Sequence, residues 1–153
     1  LITARIHQLS PDLRRPGRVG DLIIPVLDPE NEDRQAFLKW VIQPVLGRKL
    51  KPDELEHLLR EIGDLSAAAM ASLRSELKAR QLLRKAEALE MDAILEVVHD
   101  HLPAAIATTR HYQTLQALVH SSRRSLLPDP KVTETGRTQW EAEIRELEAS
   151  GIR

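Results

Sequence analysis

The sequence predicts a mainly α protein, a bundle of helices preceded by two short β-strands. Three observations lead there. Leucine, isoleucine, valine and alanine recur at helical spacing over most of the chain. Aromatic residues make up only 3% of it, which leaves the core to aliphatic side chains. Two short β-branched runs suited to buried strands stand before Leu27. With 153 residues, 42% apolar and 29% charged, the composition is that of one globular domain with flanking pieces.

Leu1–Thr3 and Leu22–Val26 read as two strands of a buried parallel sheet, and Arg14-Arg15-Pro16-Gly17-Arg18 lies between them. Proline fixes φ and glycine accepts backbone paths closed to other residues. The turn therefore holds Arg15 and Arg18 outward as planar, permanently charged forks suited to phosphate. From Asp28 to Asp33, proline and acids precede an apolar period, the chemistry of a helix start. Ala36, Phe37, Trp40, Val41 and Val45 then recur at helical spacing, and Gly47 supplies a stop. Pro52-Asp53-Glu54 opens a second helix with Leu55, Leu58, Leu59 and Ile62 on one face and Gly63 at its end. Ser66 is a good N-cap for a third, alanine-rich helix carrying Met70, Leu73, Leu77 and Leu82, with its end near Ala86–Leu89 left open.

A fourth helix spans Glu90–Leu102, with Ile94, Leu95, Val98 and Leu102 inward and Pro103 as the next boundary. Ala104–Leu127 reads as one long helix, and its Arg110, His111, His120, Arg123 and Arg124 make a basic face turned to solvent or to a partner. Gln139–Ser150 is an acidic amphipathic helix with Trp140, Ile144 and Leu147 in line, suited to docking on a neighbouring subunit or folding back on its own lid.

Composition narrows the function. A net charge of -1 gives no field toward nucleic acid or an anionic membrane. The absence of cysteine excludes disulfides, thiolate catalysis and cysteine zinc sites, and points to a reducing, cytoplasmic setting. No run approaches the ~20 apolar residues of a spanning helix. Glu54 with His57 and Glu96 with His99 have the Glu-x-x-His spacing of di-iron bundles, but the first helix offers no inward carboxylate to complete a site, so no metal is expected. No nucleophile elbow and no phosphate-cradling G-x-x-x-x-G-K-[ST] occurs, so these residues alone should not hydrolyse ATP.

Thr3, Arg5, Leu9, Pro11, Leu13 and Arg15 to Arg18 keep, without a gap, the order Thr-Asn-Arg, Leu-Asp-Pro-Ala-Leu, Arg-Pro-Gly-Arg. This stretch resembles the second half of an AAA+ ATPase module. Arg34, Leu50-Lys51-Pro52-Asp53 and Gly63-Asp64-Leu65-Ser66-Ala67-Ala68 resemble, more loosely, the family's helical lid, so the likeness runs over residues 1–102. It implies three parts: the edge of the large α/β subdomain (1–29), a helical lid bundle (30–103) and a helical extension (104–153). It also implies that Leu1 lies inside a longer chain whose upstream part carries the Walker motifs.

By this resemblance Arg15 and Arg18 are arginine fingers reaching a neighbour's ATP in a homo-oligomeric ring, a hexamer by expectation, that remodels a protein client. Val41, Ala67 and Ala68 are the corresponding adenine contacts, Mg comes with residues upstream, and the lid rocks about a hinge near Val26–Asn31. The alanines also have a plainer reading as helix formers. Two departures matter. Ala4 replaces the asparagine that orients the attacking water, so hydrolysis is slow or another residue substitutes. Val19 and Gly20 stand where relatives carry Phe-Asp. Two rival classes remain: a degenerate AAA-like module that binds without catalysis, and an unrelated all-helical interaction domain.

Overall fold

The computed structural model describes residues 1–102 and 104–152. Pro103, expected as a boundary, lies outside them. Six helices occur among the described residues: α1 (Asn31–Leu46), α2 (Pro52–Ile62), α3 (Ala67–Leu83), α4 (Met91–Asp100), α5 (Ala107–Val119) and α6 (Glu134–Ala149). Short 3-10 turns stand at Ile6–Gln8, Val19–Asp21 and Arg124–Leu126. The chain divides into two compact units, one formed by Asp28–Ala104 and the other by Leu1–Leu27 with Ala105–Arg153. No helix among the described residues is long and apolar enough to cross a membrane.

In the unit Asp28–Ala104 the four helices pack cyclically, α1 on α2, α2 on α4, α4 on α3 and α3 on α1. Leu38, Val41, Ile42, Val45, Leu58, Met70, Leu73, Leu77 and Ile94 point inward from all four and close one aliphatic core. Local chemistry sets the ends. Gly47 takes the left-handed conformation (φ 71°) and donates to the Gln43 carbonyl, stopping α1 as expected. Pro52 stands at the start of α2, where its missing N–H costs nothing. The Ser66 hydroxyl caps α3 by accepting the Ala69 N–H at 3.1 Å. Lys85 and Ala86, at φ 57° and 63°, turn the chain left-handed and end α3 where the sequence left the break open.

Pro44 lies inside α1. It has no N–H to give to the Trp40 carbonyl four residues back, so that acceptor is orphaned. Arg74 of α3 supplies the missing donor, its Nε reaching the Trp40 carbonyl at 3.3 Å while its guanidinium stacks 4.0 Å from the Trp40 ring centre. A backbone gap in one helix is closed by a side chain of the next.

In the other unit α5 and α6 form an antiparallel pair, since the Tyr112 hydroxyl meets Glu148 while Arg137 meets the Val119 carbonyl. Tyr112, Leu115 and Ile144 are its buried centre, with Trp140 and Leu147 packed against it, so the last helix packs on α5. The turn Ile6–Gln8 packs on α5.

The two expected strands are absent from the described residues. Ile2 is fully exposed at 100% and Val26 is 90% exposed, with no neighbouring strand to complete a ladder. Ile23 finds its backbone partners instead in Ser122, whose hydroxyl accepts the Ile23 N–H at 3.0 Å and whose N–H donates to the Ile23 carbonyl at 3.3 Å. The long helix expected over 104–127 is also shorter: α5 stops at Val119, and the Ser121 N–H donates to the Leu118 carbonyl at 3.2 Å in the turn that follows. Leu102, expected inward, is 88% exposed because α4 ends at Asp100. Leu82 is exposed as well.

Candidate functional site

The Arg-Pro-Gly-Arg segment folds as a closed loop rather than as a link between strands. Val19 donates to the Leu13 carbonyl at 3.1 Å, Arg18 to the Arg15 carbonyl at 3.3 Å, and the Gly17 N–H to the Asp21 carboxylate at 2.7 Å. Gly17 has φ 82°, a conformation that favours glycine. Gly20 is required for a different reason: a Cβ there would lie 1.9 Å from the Arg14 carbonyl oxygen. The loop leaves Arg15 and Arg18 exposed. Arg15 pairs with Asp12 at 3.4 Å across open surface, a bond that holds its guanidinium only weakly. Ala4 is exposed beside Thr3, whose hydroxyl accepts the Arg5 N–H at 3.0 Å.

Arg14 turns the other way, to the Nε2 of His120 on the hairpin. The Nδ1 of His120 donates to the Gln116 carbonyl at 2.9 Å. One nitrogen donates and the other accepts, which defines a neutral imidazole. His7 stands edge-on to Tyr112 with ring centres 5.1 Å apart, and its two ring nitrogens are buried with no hydrogen-bond partner among the described residues. Gln116, buried, donates to the Tyr112 hydroxyl at 3.0 Å, which in turn donates to Glu148 at 2.8 Å. Burial is the chief cause that pushes both histidines below their ordinary pKa. For His7, the nearby His120, Arg5 and Arg14 add to that and Glu148 opposes it. For His120 the Gln116 carbonyl opposes it and Arg14 adds.

In the four-helix unit Val41 is fully enclosed in the core (0% exposed) and presents no surface of its own. Ala67 and Ala68 open α3, the first half-buried and the second exposed. The Ala67 N–H is taken by the Asp28 carboxylate at 2.9 Å and the Ala69 N–H by Ser66, so the positive end of α3 is already neutralised from within. Arg34 is half-buried near the start of α1, with its Nε unpartnered among the described residues.

The Glu-x-x-His pairs do not converge. Glu54 accepts two bonds from Arg48 at 2.7 and 2.8 Å, Glu96 pairs with Arg80, and His99 turns to Glu61 at 2.7 Å. Among the described residues no group of three or more His, Asp or Glu is placed to hold a metal. Of the basic residues of 104–127, His111 meets Glu143 at 2.7 Å and Arg124 meets Glu134 at 2.9 Å. A shallow, open depression of about 500 Å³ lies along α6, bordered by Glu134, Thr138 and Gln139. It touches none of the expected site residues.

Three functional features carried little signal in the sequence. Gly20 looked like a departure from a motif, whereas the backbone needs it. The pair Arg14–His120 joins residues 106 positions apart, and no local pattern announces it. The Arg74 donor could be sought from Pro44 alone, since a proline inside a helix always orphans a carbonyl. Comparison with protein-family models, curated proteins and solved structures finds no match.

Proposed function

We propose that the chain is the C-terminal part of an AAA+-type ATPase that uses ATP binding and hydrolysis to remodel protein partners in a homo-oligomeric ring, a hexamer. Arg15 and Arg18 reach the ATP of the adjoining subunit and stabilise charge on the transferring phosphoryl group. The unit Asp28–Ala104 is the lid, with Ala67 and Ala68 toward adenine and Val41 behind them in the core. Leu1–Thr3 and Leu22–Val26 become strands on joining a sheet supplied by the rest of the large subdomain, which also carries the Walker residues and Mg. The cysteine-free composition fits a cytoplasmic location.

The observation that supports this reading is one of order. A closed loop exposing two guanidiniums is followed directly by a self-contained four-helix unit over the stretch where the resemblance puts a lid. The exposed residues Leu22, Ile24 and Val26 are apolar surface in want of a neighbour, as strands without their sheet are.

The test is ATP turnover by Arg15→Ala and Arg18→Ala in the full-length protein. Each is expected to lower assembly-stimulated turnover by about 10³- to 10⁵-fold while ATP binding is retained. Normal turnover in both variants removes the finger assignment. A second reading, a degenerate AAA-like or all-helical interaction module without catalysis, is favoured by Ala4 and by the exposed pair Phe37 and Trp40 on α1. ATP binding with no turnover in the wild-type assembly selects its AAA-like form, and no ATP binding selects the all-helical one.

A further inference from the structure

We propose that residues 1–27 form a pH-released strap on the α5–α6 hairpin, latched where Arg14 donates to His120 and where His7 seats against Tyr112. The inference does not depend on the ATPase reading. It rests on the geometry of one latch. His120 accepts from Arg14 through Nε2 and donates to the Gln116 carbonyl through Nδ1. A proton added at Nε2 takes the lone pair that Arg14 uses and sets two cations face to face. The Arg14 bond is then lost, while the Gln116 bond survives. Protonation therefore strikes the bond between strap and hairpin and spares the one inside α5.

His7 reinforces the same response. Its ring nitrogens are buried against Tyr112 without a partner among the described residues, so a charged His7 has no acceptor where it lies. The groups facing the two imidazoles are Arg5 and Arg14 from the strap, Tyr112 and Gln116 from α5, and Glu148 from α6. Glu148 is the one acid among them, and it is already engaged by the Tyr112 hydroxyl at 2.8 Å. Two arginines outweigh it. Burial and these neighbours hold both histidines below the ordinary value of 6.5, His7 by burial first and then by His120, and His120 by burial first.

The sign follows from linkage. Groups whose pKa is lowered in the strapped state bind protons better once the strap is off. The strap is at full strength above pH 6.5 and weakens as the pH falls through the depressed values. Below 6.5, each histidine shifts the open-to-closed ratio by up to about tenfold per pH unit until its strapped-state pKa is passed. The far end, where Ile23 and Ser122 exchange uncharged hydrogen bonds, has no such sensitivity and acts as the tether. Release uncovers the Tyr112 face and frees the loop that carries Arg15 and Arg18 from the hairpin.

The experiment is amide hydrogen exchange on the full chain between pH 7.5 and 5.0, corrected for intrinsic rates. The reporters are the Leu9 and Val19 amides, with amides inside α1 and α3 as internal reference. In the wild type, protection at Leu9 and Val19 should fall at least tenfold relative to the reference. In the double variant His7→Phe, His120→Gln, which keeps a ring on Tyr112 and an acceptor for Arg14, it should stay level across that range. Wild-type protection that does not change, or a double variant that loses protection as the wild type does, overturns the proposal. If the double variant is unprotected at every pH, nitrogen-resolved NMR of the wild type decides. His120 found as the Nδ1–H tautomer and titrating below 6.5 supports the latch, and the other tautomer or a titration above 6.5 refutes it.

Discussion

In Asp28–Ala104, aliphatic side chains from four helices close a single core, with polar groups capping helix ends, repairing one backbone gap and pairing across the exposed surface. In the unit built from Leu1–Leu27 and Ala105–Arg153, the buried apolar centre is Tyr112, Leu115 and Ile144. The N-terminal segment adds the Arg14–His120 and Ile23–Ser122 bonds, which join residues 106 and 99 positions apart. The first unit is made of near neighbours in sequence, so each contact costs little loop entropy. The second must bring together segments that are about a hundred residues apart in sequence before its bonds form. A non-directional core tolerates many conditions, whereas a few directional bonds answer to one proton. That difference separates a scaffold from a device.

The two tryptophans fall one in each unit, Trp40 on α1 and Trp140 on α6, and report on them separately once the other is replaced by phenylalanine. The largest expected effect is that of Leu73→Ala, at a fully buried position of the four-helix core. It should cost about 2–5 kcal/mol in denaturant unfolding followed at Trp40. Ile144→Ala, in the smaller cluster, should fall near the lower end of that range and be seen at Trp140. If Leu73→Ala moves both transitions by the same amount, the units unfold as one and the contrast drawn above fails.

The difference between the units also marks what the sequence could disclose. Gly47, Ser66 and Pro52 each act within a turn of helix, and their roles are legible from residue type alone. The same holds for the core: Leu38, Val41, Ile42 and Val45 keep helical spacing, which makes Val41 a core residue before it is anything else. Leu22–Val26 was misread because strand propensity describes what a segment suits, while a strand exists only beside another. Leu102 was misread because the periodic pattern runs past the point where α4 stops. Arg15 and Arg18 were legible as exposed cations on a turn. The partnership of Arg14 with His120 was not, since it depends on how distant segments meet.

A middling effect sharpens the contrast from the side of the scaffold. Arg74→Met keeps most of the aliphatic stem but removes the donor to the Trp40 carbonyl and the charge over its ring. The expected cost is about 1 kcal/mol, because a partly exposed carbonyl left by Pro44 can turn to water. The Trp40 emission should shift with it. A loss as large as that of Leu73→Ala would mean that the four-helix unit depends on polar bonds as much as its counterpart does.

The smallest effect separates the units by pH. Glu54 accepts the Lys51 N–H at 2.9 Å and a two-pronged pair of bonds from Arg48 at 2.7 and 2.8 Å. The Arg48 bonds first, and the Lys51 N–H second, hold its carboxyl down at about 2. Its folded pKa is below the ordinary carboxylate value of 4.5, so its contribution is complete above that pH and disappears as the pH falls through about 2. Glu54→Gln keeps an acceptor for Lys51 and gives up the charge pair. The acid slope of stability at Trp40 should therefore be shallower in the variant between pH 4.5 and 2, and 1 M salt should shrink the difference. The strap responds in another window, below 6.5, and at other residues. Exchange at Leu9 and Val19 should already have risen at pH 5, where the Trp40 transition has not yet moved. Coincident onset of the two would show one shared acid transition in place of two.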